Sequence, residues 1–248
     1  MISLNQTGLT YILPREYYIS VGGYYMLLYH GSQFIIEKPE FGKGKKNNDY
    51  GQGFYCTEDA GLAGEWAVDF GRDGYINCYE LDCEGLEILN LRDPEYSLLE
   101  WLAVLLKHRD VAVHYPMQKA ARQYILDHFS LDVSRYDLIR GYRADDSYFT
   151  FARDFLSGAI SYRQLSDAMH LGDLGEQIVL KSTKAFERIR FSGNIEVSAD
   201  EWYARKQLRD AAARRKYSDM DMNQYLKNGL FMNQILSEEM RRDDRRLR

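Results

Sequence analysis

Cysteine is scarce: three residues in 248, Cys56, Cys78 and Cys83, are odd in number and lack zinc-ligand spacing, which argues against a disulfide framework and against a metal site. Long apolar runs are missing too. The longest, such as 24-YYMLLY-29 and 101-WLAVLL-106, fall far short of the ~20 residues that cross a bilayer. The first residues have neither the basic start nor the apolar block of a signal peptide, so the expectation is a cytoplasmic protein with no membrane partner. Basic residues do not dominate: 32 Lys and Arg face 37 Asp and Glu, and the net charge of −5 counts against a wide nucleic-acid footprint, though not against a local basic groove. There is no low-complexity tract and no internal repeat. What is present, 45% hydrophobic residues in a chain of this length, is enough for a sizeable core in one large domain or one domain with an appendage.

The pattern along the chain mixes strand and helix signals. Residues 24–36 read as a strand, a turn at Gly31-Ser32, and a second short strand, 33-QFII-36. The polar, Gly- and Lys-rich segment 37-EKPEFGKGKKNNDYGQG-53 reads as a long surface loop of the kind that carries function. A strand at 53-GFYCT-57 and a capped helix over 58–71 follow, then strands at 75-YINCYEL-81 and 86-LEILNL-91. The middle is helical, with a serine cap before 98–109 and a second helix over 117–129. Beyond it come a strand at 136-YDLIRGYRADD-146, helices near 147–157 and 161–170, the strand 177-QIVLKS-182, and a helix or closing strand near 183–191. From residue 193 the composition turns charged and helix-forming, so 1–192 is expected as the folded domain and 193–248 as a solvated helical extension.

One stretch raises a specific question. In 25-YMLLYHGS-32 a strand that should fill the core ends on an imidazole and a glycine. The bland reading is a core strand running into a turn, with His30 satisfied by a backbone partner. The sharper reading needs 51-GQGFYCTEDAGLAGEWA-67 and 176-EQIVL-180 beside it.

Together these segments resemble the ADP-ribosyltransferase superfamily, in the histidine-tyrosine-acid branch shared by diphtheria-type toxins and poly(ADP-ribose) polymerases. In that branch one strand ends in His-Gly, a second has the form Gly-x-Gly-[apolar]-Tyr, an aromatic residue follows about a helix later, and a late strand opens with Glu, Asp or Gln. Here those positions are His30-Gly31-Ser32, Gly51 to Tyr55, Trp66, and Glu176-Gln177. The wider chain resembles a bacterial family of uncharacterised ADP-ribosyltransferase-like proteins through LYHGS, DYGQGFYCT, WLAVLLKHR, YDLIRGYRADD and QIVLKSTKAF, roughly residues 26–191. The resemblance implies an α+β fold with a split β core, two small and mostly antiparallel sheets around an NAD cleft, with helical insertions and a helical C-terminal tail. It also implies a glycosyltransferase-class enzyme that uses NAD as substrate, without metal, for mono-ADP-ribosylation of a protein or nucleic-acid acceptor, with NAD glycohydrolysis as a variant. The alternative is a catalytically impaired NAD-binding or protein-interaction module of the same fold.

The residue types suit that chemistry. Loss of nicotinamide develops positive charge on the ribose, so the site must hold the dinucleotide bent and stabilise an oxocarbenium-like cation. By the resemblance His30 orients a ribose hydroxyl, Gly31 and Ser32 face the carboxamide, and Gly53 keeps the strand entry narrow. Tyr55 and Trp66 would stack on the two faces of the cationic pyridinium. The third position stays open between Gln177 and Glu176, because neighbours on a strand face opposite ways and only one can enter the cleft. A carboxylate would stabilise the cation by charge, whereas a glutamine offers a dipole.

Two departures stand out: Ala63 occupies the place where polymerases carry a carboxamide-binding serine, and no arginine-specific Ser-Thr-Ser and Glu-x-Glu pattern is present. Asp145 and Asp146 read as a turn cap with solvated charge, or as a pair that binds a metal or steers a substrate, and Lys43, Lys45 and Lys46 as pyrophosphate contacts or solubilising charge. His108, His114, His128 and His170 show no paired ligand spacing. Superfamily members often act as toxins, and a neutralising protein partner is conceivable by the resemblance, but neither that nor the acceptor is written in these residues.

Overall fold

The computed structural model describes residues 19–20, 23–144, 146–169, 175–219 and 229–248; Asp145 and His170 lie outside them. Strand β2 (Gly23–Ser32) follows the short β1 (Ile19–Ser20) and carries the first apolar run. Met26 and Leu28 are buried while Leu27 between them is exposed, the two-residue period of a half-buried strand. With β4 (Gly74–Asp82) and β8 (Ile189–Val197) these strands form an antiparallel sheet in the order β1-β2-β4-β8.

A second sheet has the order β3-β7-β6-β5, built from β3 (Phe54–Cys56), β5 (Ile88–Asn90), β6 (Leu138–Tyr142) and β7 (Glu176–Leu180). Its pairs are antiparallel except β5 with β6, which run parallel. The sheets are joined by one antiparallel bridge, in which Tyr29 and Thr57 exchange backbone hydrogen bonds of 2.7 and 2.9 Å. The chain is thus α+β with two small sheets, bridged at Tyr29–Thr57 and packed on each other through Met26, Leu28, Tyr79 and Leu81 of the first and Cys56, Leu138, Ile178 and Leu180 of the second.

Helix α1 (Ala60–Ala67) begins at Asp59, whose Oδ1 accepts from the backbone N–H of Gly61 and Leu62. It lies directly on the end of β2. A Cβ at Gly31 would overlap the Ala63 carbonyl oxygen and stand 2.6 Å from Ala67 N, so only glycine admits this approach.

Helix α2 (Leu98–His108) starts with a reciprocal cap in which Ser97 and Glu100 satisfy each other's backbone and side-chain groups. It is buried on almost every face; Leu99, Leu102, Leu105 and Leu106 are at most 1% exposed, and each contributes about 1.5–3 kcal/mol by burial. Helices α3 (Pro116–Phe129), α4 (Asp146–Leu156) and α5 (Tyr162–Met169) share its core with the inner face of the second sheet.

Three expectations are corrected. Residues 33–36 form no strand: Ser32 Oγ accepts from Phe34 N, and Asn77 takes Ile36 N–H while donating to Phe34 O, so side chains claim the backbone groups a ladder would need. The segment near 183–191 is both helix and strand, α6 (Thr183–Arg188) running into β8. The boundary expected at residue 193 falls inside β8. Helix α7 (Ala199–Ser218) then packs on α1, with Trp202 over Gly64, and the last residues are not a solvated appendage. Met232 and Ile235 of α8 (Met232–Ser237), with Met240 and Leu247, are buried in the α2–α3 core, because a charged segment can still present a few apolar residues on one side.

Candidate functional site

Beside the point where the sheets part lies a pocket of about 230 Å³, lined by Asn48, Asp49, Tyr55, Trp66, Arg109, Arg143, Ala144 and Gln177. Its lining comes from the long loop, β3, α1, the end of α2, and β6 and β7. Sheet register explains which side chains enter. Gln177 is buried at 4% exposure, and its Nε2 donates to Asp49 Oδ2 at 2.8 Å and to Tyr142 O at 3.1 Å. Glu176 points to the opposite face, where Arg140 and Arg92 both pair with it and Arg140 also reaches Glu58 at 2.8 Å. Of the two neighbours, Gln177 is the one that faces the pocket, and Glu176 is occupied in an ion-pair cluster.

Tyr55 is fixed by its hydroxyl, which donates to Gly51 O at 2.6 Å and accepts from Tyr50 N at 3.0 Å. Burial raises its pKa, so it stays neutral. Gly51 adopts φ +75°, a conformation glycine takes freely, and Lys181 Nζ donates to Tyr50 O and Gln52 O at 2.6 Å, clamping the turn. Trp66 forms another wall; the Arg143 guanidinium lies 5.3 Å from its ring, and its Nε1–H is buried without a partner among the described residues.

His30 does not line the pocket. It stands one residue behind it, with Nδ1 2.7 Å from Tyr55 O and its ring stacked 4.5 Å from Phe54. Burial lowers its pKa below the ordinary 6.5 despite the opposing effect of the Tyr55 bond. The bland expectation of a histidine satisfied by a backbone partner is therefore met for the half-buried His30, whereas Tyr55, Trp66 and Gln177 do converge. Gly31 and Gly53 serve close packing, the first against α1 and the second against Val179 and Leu180 of β7. Ser32 is spent on the turn at Phe34, and Ala63 is fully buried under β2. Lys43, Lys45 and Lys46 are exposed, Lys43 beside Glu40, and none lines the pocket.

The residues that sequence reasoning missed are Asp49, Asn77, Arg109 and Arg143. Asp49 is 6% exposed; Oδ2 accepts from Ala144 N at 2.9 Å as well as from Gln177, and Oδ1 stands 3.7 Å from Arg109 Nε. Burial raises its pKa from the ordinary carboxylate value, against the opposing hydrogen bonds and guanidinium charges. Asn77, fully buried in mid-strand, holds the His30 and Phe34 carbonyls and the Ile36 N–H. An aspartate ahead of Gly-x-Gly and a polar residue at an inward strand position were the signals available.

An aromatic pair, two guanidiniums, one carboxylate and two amides can hold a flat cationic ring together with an anionic group. Among the described residues no cluster of metal-ligating side chains occurs. The chain belongs to the family described as protein of unknown function DUF3990, whose family model matches residues 26–191 and so spans every residue of the pocket. No curated protein and no solved structure matches the chain.

Proposed function

We propose that this chain is an NAD-dependent mono-ADP-ribosyltransferase in which Tyr55 and Gln177 face the dinucleotide and His30 supports Tyr55 from behind, with NAD glycohydrolysis when water takes the acceptor's place. The observation that carries the reading is the convergence of Tyr55, Trp66 and Gln177, far apart in sequence, on one polar pocket beside the split between two small sheets. The pocket is smaller than the roughly 300–1,000 Å³ of a whole small-molecule site, so it would take the nicotinamide-ribose end while the rest of the dinucleotide lies along the open face. Tyr55 and Trp66 supply aromatic surface for the pyridinium, and Arg109 and Arg143 supply charge for the diphosphate. In the reaction the C1′–N bond breaks with its electron pair passing to the nicotinamide nitrogen. Neutral nicotinamide leaves, and the acceptor's nucleophilic atom donates a pair to C1′ and loses its proton to solvent.

Gln177 favours one second reading, a module that binds NAD without turning it over, because an amide carries no charge to oppose the oxocarbenium. One experiment separates the two. The purified chain is incubated with NAD labelled in the nicotinamide or in the adenylate, scoring nicotinamide release and transfer of adenylate label to lysate protein and nucleic acid. Release with transfer supports transferase, release alone glycohydrolase, and binding without release the module; absence of binding overturns both readings.

A further inference from the structure

The amide of Gln177 is polarised and oriented. Both hydrogens of its Nε2 are taken, one by Asp49 Oδ2 at 2.8 Å and one by Tyr142 O at 3.1 Å. A carboxylate and a carbonyl can only accept, so the amide nitrogen must face them and Oε1 is the end left for a ligand. Asp49 is itself fixed: Ala144 N–H bonds the same Oδ2, and the Asp49 side chain, on the pocket wall, is 6% exposed. It is the only carboxylate lining the pocket among the described residues, facing Arg109 and Arg143.

We propose that Asp49 is the positioning carboxylate of this site: through Gln177 it turns the amide oxygen toward the ribose and places one negative charge a single hydrogen bond from the developing cation. This rests on the ADP-ribosyl-transfer reading above and explains how a glutamine serves where an acid is expected. Charge on Asp49 polarises the amide, and the hydrogen-bonded pair acts at low dielectric, where a fixed charge is strongest. Stabilisation confined to the cation appears in turnover, not in ground-state binding.

The test compares wild type, Asp49→Asn, Gln177→Glu and Asp49→Asn/Gln177→Glu for NAD affinity by calorimetry, nicotinamide release and melting temperature. In Asp49→Asn, kcat falls by about 10–100-fold while the Kd for NAD changes less than about threefold. The double variant, which moves the charge to position 177, regains at least about tenfold in kcat over Asp49→Asn. A merely structural Asp49 would lose melting temperature and affinity together and gain nothing from the second change; that result, or unchanged kcat in Asp49→Asn, overturns the proposal and leaves the transferase reading standing. A wild-type chain that binds NAD but releases no nicotinamide overturns the proposal and favours the binding module. A wild-type chain that does not bind NAD overturns the functional reading, and the proposal falls with it.

Discussion

His30 Nδ1 donates to the main-chain oxygen of Tyr55 at 2.7 Å, tying the end of β2 to β3 where the two sheets part. Because that carbonyl can only accept, Nδ1 carries the hydrogen and Nε2 of the neutral ring keeps its lone pair. In His30→Ala the Tyr55 oxygen loses its partner and a void opens beside Phe54, so stability should fall by about 1–3 kcal/mol in urea titration. A loss under about 0.5 kcal/mol would show that water replaces the imidazole without cost.

Two histidines make the fold acid-sensitive. Burial lowers the pKa of His30 below 6.5, and burial followed by the charges of Lys181 and Lys107 lowers that of His108. Their folded pKa values lie below the unfolded ones. The neutral rings therefore contribute full stability above about pH 6.5, and it is lost as pH falls below that, where the unfolded chain binds protons the native state refuses. The raised carboxyl of Asp49 works in the opposite sense, favouring the fold as acid protonates it. Melting temperature should fall as pH drops below about 6.5, and His108→Asn should flatten the slope. An unchanged slope would assign the acid sensitivity elsewhere.

Glycine positions divide sharply. Gly31→Ala drives a methyl into Ala63 O, Ala67 N and Trp66 Cβ, all parts of α1 that can yield only by moving the helix. Gly42→Ala, at φ +83° with no atom within 4 Å, meets only local strain of about 1 kcal/mol. Thermal unfolding should show Gly31→Ala as the more damaging by several degrees, and equal effects would mean α1 shifts freely.

Opposite faces of β7 separate stability from ligand contact. Glu176→Gln leaves Arg140 with Glu58 and Arg92 over the Tyr142 ring but removes the charge both guanidiniums pair with, so it should lower stability by about 1–3 kcal/mol with NAD affinity unchanged. Gln177→Ala should weaken NAD binding instead. Reversed outcomes in calorimetry would place the ligand on the Glu176 face.

The sequence disclosed most of the scaffold. The strand signal in 24–32 and the caps before α1 and α2 rest on local chemistry or short-range pattern, whereas Tyr55, Trp66 and the pair Glu176-Gln177 were marked by the family resemblance; each has its counterpart in the structure. What stayed hidden depends on distant backbone. The stretch 33-QFII-36 has strand composition, yet Asn77 from β4 captures its backbone groups. Asp49 sits in a polar loop whose burial is decided by Ala144 and Gln177, and the tail's few apolar residues find the α2–α3 core through contacts no local pattern reveals.

Trp66 offers a direct optical test. Its indole lines the pocket, with Nε1–H buried and unpartnered among the described residues, while Trp101 is 1% exposed and bonded to Tyr50 and Trp202 lies against α1 and Arg205. A pyridinium stacked in the pocket would quench Trp66 and leave the other two unaffected. Trp66→Phe keeps an aromatic face and removes that N–H, so its stability change should stay within about 1 kcal/mol. NAD should then quench wild-type emission in a saturable way, and Trp66→Phe should lose that response while unfolding near the wild-type midpoint. Quenching that survives the substitution would put the dinucleotide near Trp202 or Trp101 and remove Trp66 from the site.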